Sequence, residues 1–283
     1  MVEDKLLREN ERIDDLEING FRIIQNPFCF CFGMDAVLLA NFARVKSGGN
    51  VLDIGTGTGI VPLLLAAKSK GRSWTGLEIQ ENMVDMALRS TILNNVAGPD
   101  VYEKYKAILP SDLLMENKKS EVLDGGKGDN VKKGYMNIIQ GDVRNIRELF
   151  SPASFSAVTS NPPYMKENSG LKNESDTIYI SRHEALASLE DIISGAAYVL
   201  KTGGIFSMVH RPTRLPEIME MMVRYRLEPK RLMLVQPYSD KEPNLVLIEG
   251  IKEAGKECRI LPTLIVYNKD GTYTEELLKM YGK

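Results

Sequence analysis

The stretch 50–68, NVLDIGTGTGIVPLLLAAK, constrains the fold of this chain more than any other part of it. A short apolar run ends at Asp53 and Ile54. Three glycines follow at alternate positions, Gly55, Gly57 and Gly59, and a second apolar run opens at Ile60. That is the pattern of a buried strand, a tight turn and a helix. Glycines at such a turn adopt backbone angles closed to other residues and let a ligand approach the main chain. A strand apolar on both faces needs parallel neighbours under helical cover. The chain supplies them: strand-like runs at Asn50–Ile54, Ser73–Glu78, 136–141, 157–161, 204–210, 231–236 and 245–251 alternate with helical patterns at 60–70, 82–94, 188–200 and 214–225. The alternation predicts an α/β fold with a seven-stranded, mostly parallel sheet and helices on both faces. The last two strands are close enough to pair antiparallel at an edge. Residues 263–267 predict a further strand and 274–280 a short closing helix.

Two regions stand outside the alternation. Residues 1–45 precede the first strand and end in an apolar helix-like run, Met34–Phe42. They are expected to form an extension that lids the site, with 46–283 as the main domain. Residues 103–134 interrupt that domain and contain KKSEVLDGGKGDNVKKG, a polar, aperiodic stretch that reads as a long loop. No run of eighteen apolar residues predicts a membrane span, and the charged beginning MVEDKLLRENERIDD does not read as a signal peptide. Three cysteines and two histidines without a C-x-x-C predict neither a disulfide framework nor a structural zinc site; reduced thiols and a cytoplasmic setting fit better. Cys29 and Cys31 read as packing residues. Charge is unevenly spread. Residues 201–231 hold seven bases against three acids. That suits either a nucleic-acid contact or a solvated helix face.

The spacing of the glycines separates ligand classes. A dinucleotide-binding G-x-G-x-x-G needs a third glycine at Ile60, or at Pro62 counted from Gly57, and neither is there. The order is instead D-x-G-x-G-x-G. A pyrophosphate would be repelled by Asp53, whereas S-adenosyl-L-methionine carries a sulfonium and an ammonium and no phosphate, so a carboxylate favours it. Glu78 ends the second strand, placed to accept hydrogen bonds from both ribose hydroxyls. Asp142, in IQGDV, ends the third, placed either for the cofactor's adenine amino group or as the N-cap of the helix that follows.

After the fourth strand comes Ser160-Asn161-Pro162-Pro163-Tyr164, the strongest pointer to chemistry. Two prolines stiffen the backbone and remove two N–H donors. What remains is a set of carbonyl acceptors, the Asn161 amide and an aromatic ring. This suits an amine conjugated to a π-system. If the Asn161 side-chain oxygen and the Pro162 carbonyl accept its two N–H groups, its lone pair is aimed at a methyl donor, while Tyr164 stacks on the ring. The motif alone does not separate adenine from a glutamine side-chain amide.

From about Asn50 to Ile251 the sequence resembles the class I S-adenosylmethionine-dependent methyltransferases, which implies a Rossmann-like seven-stranded sheet with the cofactor over its carboxyl edge. The segment Phe30-Cys31-Phe32-Gly33-Met34-Asp35-Ala36-Val37-Leu38-Leu39, with Glu11-Arg12-Ile13-Asp14-Asp15-Leu16, Ile24-Gln25-Asn26 and Arg182-His183-Glu184, extends a resemblance to the bacterial tRNA(Val) adenine-N6 methyltransferase family over nearly the whole chain. That resemblance implies N6-methylation of adenosine 37 of a tRNA, with the target base unstacked from a single-stranded loop. The run Met34–Phe42 reads either as an amphipathic helix lidding the cofactor, with Asp35 near its start, or as a plain N-capped core helix; Arg182 and the pair His210-Arg211 read as RNA phosphate contacts, and His183 as a residue that stacks on a base, takes up a released proton or serves a structural hydrogen bond; no metal is expected, and the oligomeric state is left open. The segment 103–134 is longer than the cofactor fold requires. Rival readings are a release-factor glutamine methyltransferase, a methyltransferase acting on a guanine exocyclic nitrogen in ribosomal RNA, an NAD-dependent oxidoreductase, and an RNA-binding module on an inactive methyltransferase fold.

Overall fold

The computed structural model describes residues 2–28, 31–68, 73–109, 135–164 and 187–281. Helix α1 (Val2–Leu6) leads into a hairpin of β1 (Arg12–Asp15) and β2 (Arg22–Gln25), and α2 (Met34–Phe42) follows. Then come β3 (Asn50–Ile54), α3 (Ile60–Lys68), β4 (Ser73–Glu78), α4 (Glu81–Leu93), α5 (Pro99–Tyr105), β5 (Tyr135–Gln140), α6 (Ile146–Leu149) and β6 (Phe155–Ser160). The chain continues through α7 (Leu189–Val199), β7 (Leu200–His210), α8 (Leu215–Arg224), β8 (Leu227–Gln236), β9 (Leu245–Lys252), the two-residue strands β10 (Arg259–Ile260) and β11 (Leu264–Ile265), and α9 (Glu275–Met280).

One sheet organises the molecule, in the order β10-β8-β9-β7-β6-β3-β4-β5, with β11 also on β8. All its pairings are parallel except those of β9, which runs antiparallel between β7 and β8. The seven expected strands are present. The last two do pair antiparallel; β9 is interior and β8 carries the edge, lengthened only by β10 and β11. In-register pairing lines up the strand ends: Asp53 lies beside Gly76 and Thr159, and Glu78 beside Gln140. The carboxyl ends of β3 to β7 therefore form one edge.

Strand alternation divides the core. Val51, Trp74, Met136, Ala157, Val209 and Leu247 face α2 and α3, while Leu52, Leu77, Val158, Phe206 and Ile248 face α7 and α8. A third cluster joins α1, β2, α4 and α5 through Leu6, Ile24, Met86, Ile92 and Tyr105. A buried guanidinium pins that cluster. Arg89 is 1% exposed and donates to Glu11 at 2.6 and 2.7 Å, to Asp85 at 2.6 and 2.8 Å, and to the Leu6 carbonyl.

Several elements differ from the sequence expectation. Of the two readings of α2 the core helix holds and the amphipathic one does not: Ala36 to Ala40 and Phe42 are all buried, because the helix is wedged between α3 and strands β7 and β9. Its end is tied to the sheet by Arg44, which pairs with the fully buried Glu249 of β9, as does Arg231 of β8 at 2.8 Å. The β1–β2 hairpin and α5 were not anticipated. Helix α5 runs past residue 103, where the polar interruption was expected to start; positions 110–134 of that interruption lie outside the described residues, as do Cys29 and positions 69–70 of the expected third-helix pattern. The closing helix forms as α9, capped by the Thr274 hydroxyl. Among the described residues no helix is long and apolar enough to cross a membrane.

Candidate active site

The turn after β3 takes its shape from glycine. Gly55, Gly57 and Gly59 have φ of +72°, +57° and +85°, angles that L side chains rarely adopt. At Gly59 space is short as well: a Cβ there would lie 3.4 Å from that of Ala87 on α4. The turn folds back over the carboxyl edge and opens a cavity of about 430 Å³. Asp53, Gly55, Gly57, Glu78, Asp142, Asn161, Pro162, Tyr164, Asp35 and Arg211, all picked from the sequence, line it together. Gly59 sits where the turn enters α3, and Arg182 and His183 lie outside the described residues.

The carboxylates differ in their surroundings. Asp53 is 2% exposed and accepts a hydrogen bond from the Thr159 hydroxyl at 2.6 Å. Burial pushes its pKa up to about 7, against that hydrogen bond. Glu78 is also buried; its Oε2 accepts the Gly57 N–H at 2.8 Å and its Oε1 the N–H groups of Ile79 and Gln80 at 2.9 Å each. It therefore braces the glycine turn from below. Asp142 caps the turn after β5, accepting the Arg144 N–H at 2.9 Å. The Arg144 guanidinium beside it holds its pKa below the ordinary carboxylate range. The capping alternative thus holds, and the residue still faces the cavity.

The Asn161-Pro162 corner continues from β6 on the same edge. The Tyr164 hydroxyl lies 2.6 Å from Asn161 Oδ1 and 2.7 Å from Asp35 Oδ2, while Asp35 Oδ1 accepts the Ala36 N–H at 2.9 Å. Burial, then Asp35, drive the tyrosine pKa far upward, so the phenol keeps its proton. The Tyr164 ring meets His210 edge-on at a centroid distance of 5.3 Å, and the Arg211 guanidinium lies over it, also at 5.3 Å. His210 is 2% exposed and its Nδ1 accepts the Arg211 N–H at 2.8 Å. Burial depresses its pKa to about 4, so the imidazole is neutral near pH 7 and brings no positive charge to the site. Sequence reading missed Thr159 as the partner of Asp53; its signal was a polar residue two before Asn161 on the strand neighbouring β3.

The basic stretch 201–231 changes character in the fold. Arg214 pairs with Glu217, Arg224 with Glu220 and Glu190, Arg226 with Glu253, and Arg231 with Glu249. Three of these acids lie outside the stretch, so the excess of positive charge is largely cancelled. Among its seven bases Arg211 alone lines the cavity, and among the described residues no carboxylate pairs with it.

The donor set fits a ligand with positive charge and no phosphate. Carboxylates surround the turn, and a pyrophosphate there would face Asp53 and Glu78 in a setting where little water screens the repulsion. S-adenosyl-L-methionine meets this requirement.

No family model matches the chain. Curated relatives do. A protein from Porphyromonas gingivalis W83 named tRNA1(Val) (adenine(37)-N6)-methyltransferase is 26% identical over 275 residues, covering 94% of this chain and 93% of its own length. Relatives of the same name from Bacteroides thetaiotaomicron (25% identical, 93% and 87% covered) and Phocaeicola vulgatus (23%, 92% and 92%) are similar over comparable spans. Among solved structures, a protein described as a predicted O-methyltransferase from Agrobacterium tumefaciens superposes with a TM-score of 0.60 at 20% identity, covering 88% of this chain and 95% of its own. Pyrococcus horikoshii TYW2 in complex with MeSAdo reaches 0.52 at 13% identity, with 87% and 73% covered. The chain thus has the Rossmann-like class I methyltransferase fold and resembles, over nearly its whole length, proteins named tRNA1(Val) (adenine(37)-N6)-methyltransferase.

Proposed function

We propose that the chain transfers the methyl group of S-adenosyl-L-methionine to N6 of adenosine 37 in tRNA1(Val). The observation that carries this reading is the meeting of a carboxylate-lined glycine turn and a rigid Asn161-Pro162 corner in one cavity, in a chain similar over more than nine-tenths of its length to proteins of that name. When bound, the cofactor supplies an electrophilic methyl carbon beside a sulfonium.

The chain's own residues do the rest. Gly55, Gly57 and Gly59 leave room for the donor against the main chain, Asp53 offers negative charge beneath it, and Glu78 and Asp142 are the acceptors for its ribose and adenine. Residues 1–45 flank the donor site through Phe32, Asp35 and Ala36, which line the cavity. The substrate amine is planar and weakly nucleophilic, its lone pair being delocalised into the purine. The Asn161 side-chain oxygen and the Pro162 carbonyl accept its two N–H groups, hold it in line, and favour the lone pair over the ring. Positioning and electrostatics then lower the barrier without prior deprotonation: as the N–C bond forms the S–CH3 bond breaks, a neutral thioether is left, and the surplus proton on N6 passes to water. A base stacking on Tyr164 displaces the Arg211 guanidinium from that ring and frees it for a phosphate of the same loop; Arg182 and His183 are further candidates for RNA contact. A single-stranded loop keeps the cost of unstacking the base low. A tRNA substrate is consistent with an enzyme that works in the cytoplasm.

The test offers the purified protein labelled S-adenosylmethionine together with unmodified tRNA1(Val) or purified release factor. Label recovered as N6-methyladenosine at position 37 supports the reading. Label recovered in a glutamine side chain or as methylated guanine refutes it.

A further inference from the structure

We propose that Asp35, acting through Tyr164, holds the Asn161 amide in the one orientation that can accept a hydrogen bond from the substrate amine. This rests on the reading of the cavity as an amine-methylating site and adds a positioning residue to it.

The inference comes from counting protons. The Tyr164 hydroxyl has a single hydrogen and two oxygens within bonding distance, Asp35 Oδ2 at 2.7 Å and Asn161 Oδ1 at 2.6 Å. It can donate to only one of them. A carboxylate is a stronger acceptor than an amide oxygen, so the proton goes to Asp35. The phenolic oxygen is then left with lone pairs facing Asn161, and two oxygens that close with no proton between them repel. A half-turn of the amide exchanges its nearly isosteric ends and removes the conflict: Nδ2 donates to the Tyr164 oxygen, which can accept, and Oδ1 takes the opposite side. Asn161 lines the cavity, so the end not held by Tyr164 is the end offered to a ligand. That end is now an acceptor, as a substrate N–H requires. Were Tyr164 to donate to Asn161 instead, Nδ2 would face the substrate, donor against donor.

The mount is rigid. Asp35 stands half-buried at the start of α2, just ahead of the buried run Ala36 to Ala40, and its second oxygen is held by the Ala36 N–H at 2.9 Å. Room for the carboxylate depends on Gly33, where a Cβ would come within 2.8 Å of Asp35 Oδ1.

The test measures kcat and KM for tRNA and Kd for S-adenosylmethionine in Asp35→Asn, Tyr164→Phe and the double variant, each also in an Asn161→Asp background. We expect each single change to lower kcat by roughly 10- to 100-fold, with both binding constants within about threefold of wild type. The double variant should be no worse than the worse single one, because both break one linkage. In the Asn161→Asp background a carboxylate presents an acceptor on either side, and two carboxylates compete for the Tyr164 proton, so adding Asp35→Asn should raise kcat. Losses that multiply, a collapse of cofactor affinity in Asp35→Asn, or an undiminished kcat loss in the Asn161→Asp background would overturn the proposal. If Asp35→Asn does not fold, Tyr164→Phe carries the comparison: its cost must shrink in the Asn161→Asp background, and an unchanged cost refutes the linkage. A wild-type protein inactive on any amine would overturn the functional reading itself, whereas an active one with multiplicative losses overturns only this inference.

Discussion

Asp53 should make donor binding a proton-linked event. Its carboxylate is fully enclosed, with a pKa near 7 set mainly by burial. In the ligand-free protein at about pH 7, roughly half the molecules therefore carry a proton on this group. A sulfonium and an ammonium brought into the same cavity favour the ionised form and displace the proton. If the bound state needs the carboxylate, the apparent dissociation constant rises about tenfold between about pH 8 and about pH 6, and about half a proton is released per ligand bound near neutrality. Calorimetry in buffers of different ionisation enthalpy reads that release directly, and Asp53→Asn should abolish it while leaving any titration of the ligand's own amine in place. His210, held down to about 4 by burial, adds nothing in this window. The same group acts on stability with an inverted sign. Because its folded pKa lies above the ordinary 3.8, the ligand-free fold gains relative stability as pH falls through 7 toward 3.8 and loses it as pH rises. Keeping the carboxylate ionised at about pH 8 costs the empty fold on the order of 4 kcal/mol, so Asp53→Asn should melt higher than wild type there and bind donor more weakly. A buffer-independent binding enthalpy at neutral pH, together with a variant that melts at the wild-type temperature at about pH 8, would refute the reasoning.

Asn161→Ala should lower kcat by about 10²- to 10³-fold while donor affinity stays within about twofold, since it removes an acceptor made for the substrate amine; parallel calorimetry and turnover measurements check the split. Arg211→Ala should weaken tRNA binding by severalfold and reduce its salt dependence, whereas Arg224→Ala and Arg226→Ala, each paired on the surface with glutamates, should leave it nearly unchanged in filter binding across a salt series. Glu249→Ala should cost about 3 kcal/mol of stability in urea titration, at the low end for a buried partner because the Arg44 it abandons still reaches water, while Arg231 is left mostly covered.

How far the sequence speaks follows from what each feature depends on. The sheet was legible because short runs built around Val, Leu and Ile, as in NVLDI, alternate with helical patterns, and that alternation needs no tertiary information. The glycine turn and the Asn-Pro-Pro corner were legible because backbone conformation leaves its mark at the residue concerned. The β1–β2 hairpin was not: its strands read RIDD and RIIQ, and their partners lie on α4. Long-range pairing erased the charge reading of 201–231, since Glu190, Glu249 and Glu253 reach in from elsewhere. The contact of Asp35 with Tyr164 joins residues 129 positions apart, and no local pattern announces it.

The anchoring of Arg89 sets a boundary that the cavity does not reveal. A version of the protein starting at Arg12 would retain every residue that lines the donor site, and by motif it would look complete. It would also lack the Leu6 carbonyl and both Glu11 oxygens, leaving Asp85 as the one acid partner, among the described residues, of a guanidinium that is 1% exposed in the full chain. Losing that ion-pair network together with the buried Leu6 side chain costs a few kcal/mol, a large part of what a domain of this kind has in reserve. None of the described residues among the opening eleven lines the cavity, yet trimming them away should lower the stability of the part of the molecule that does.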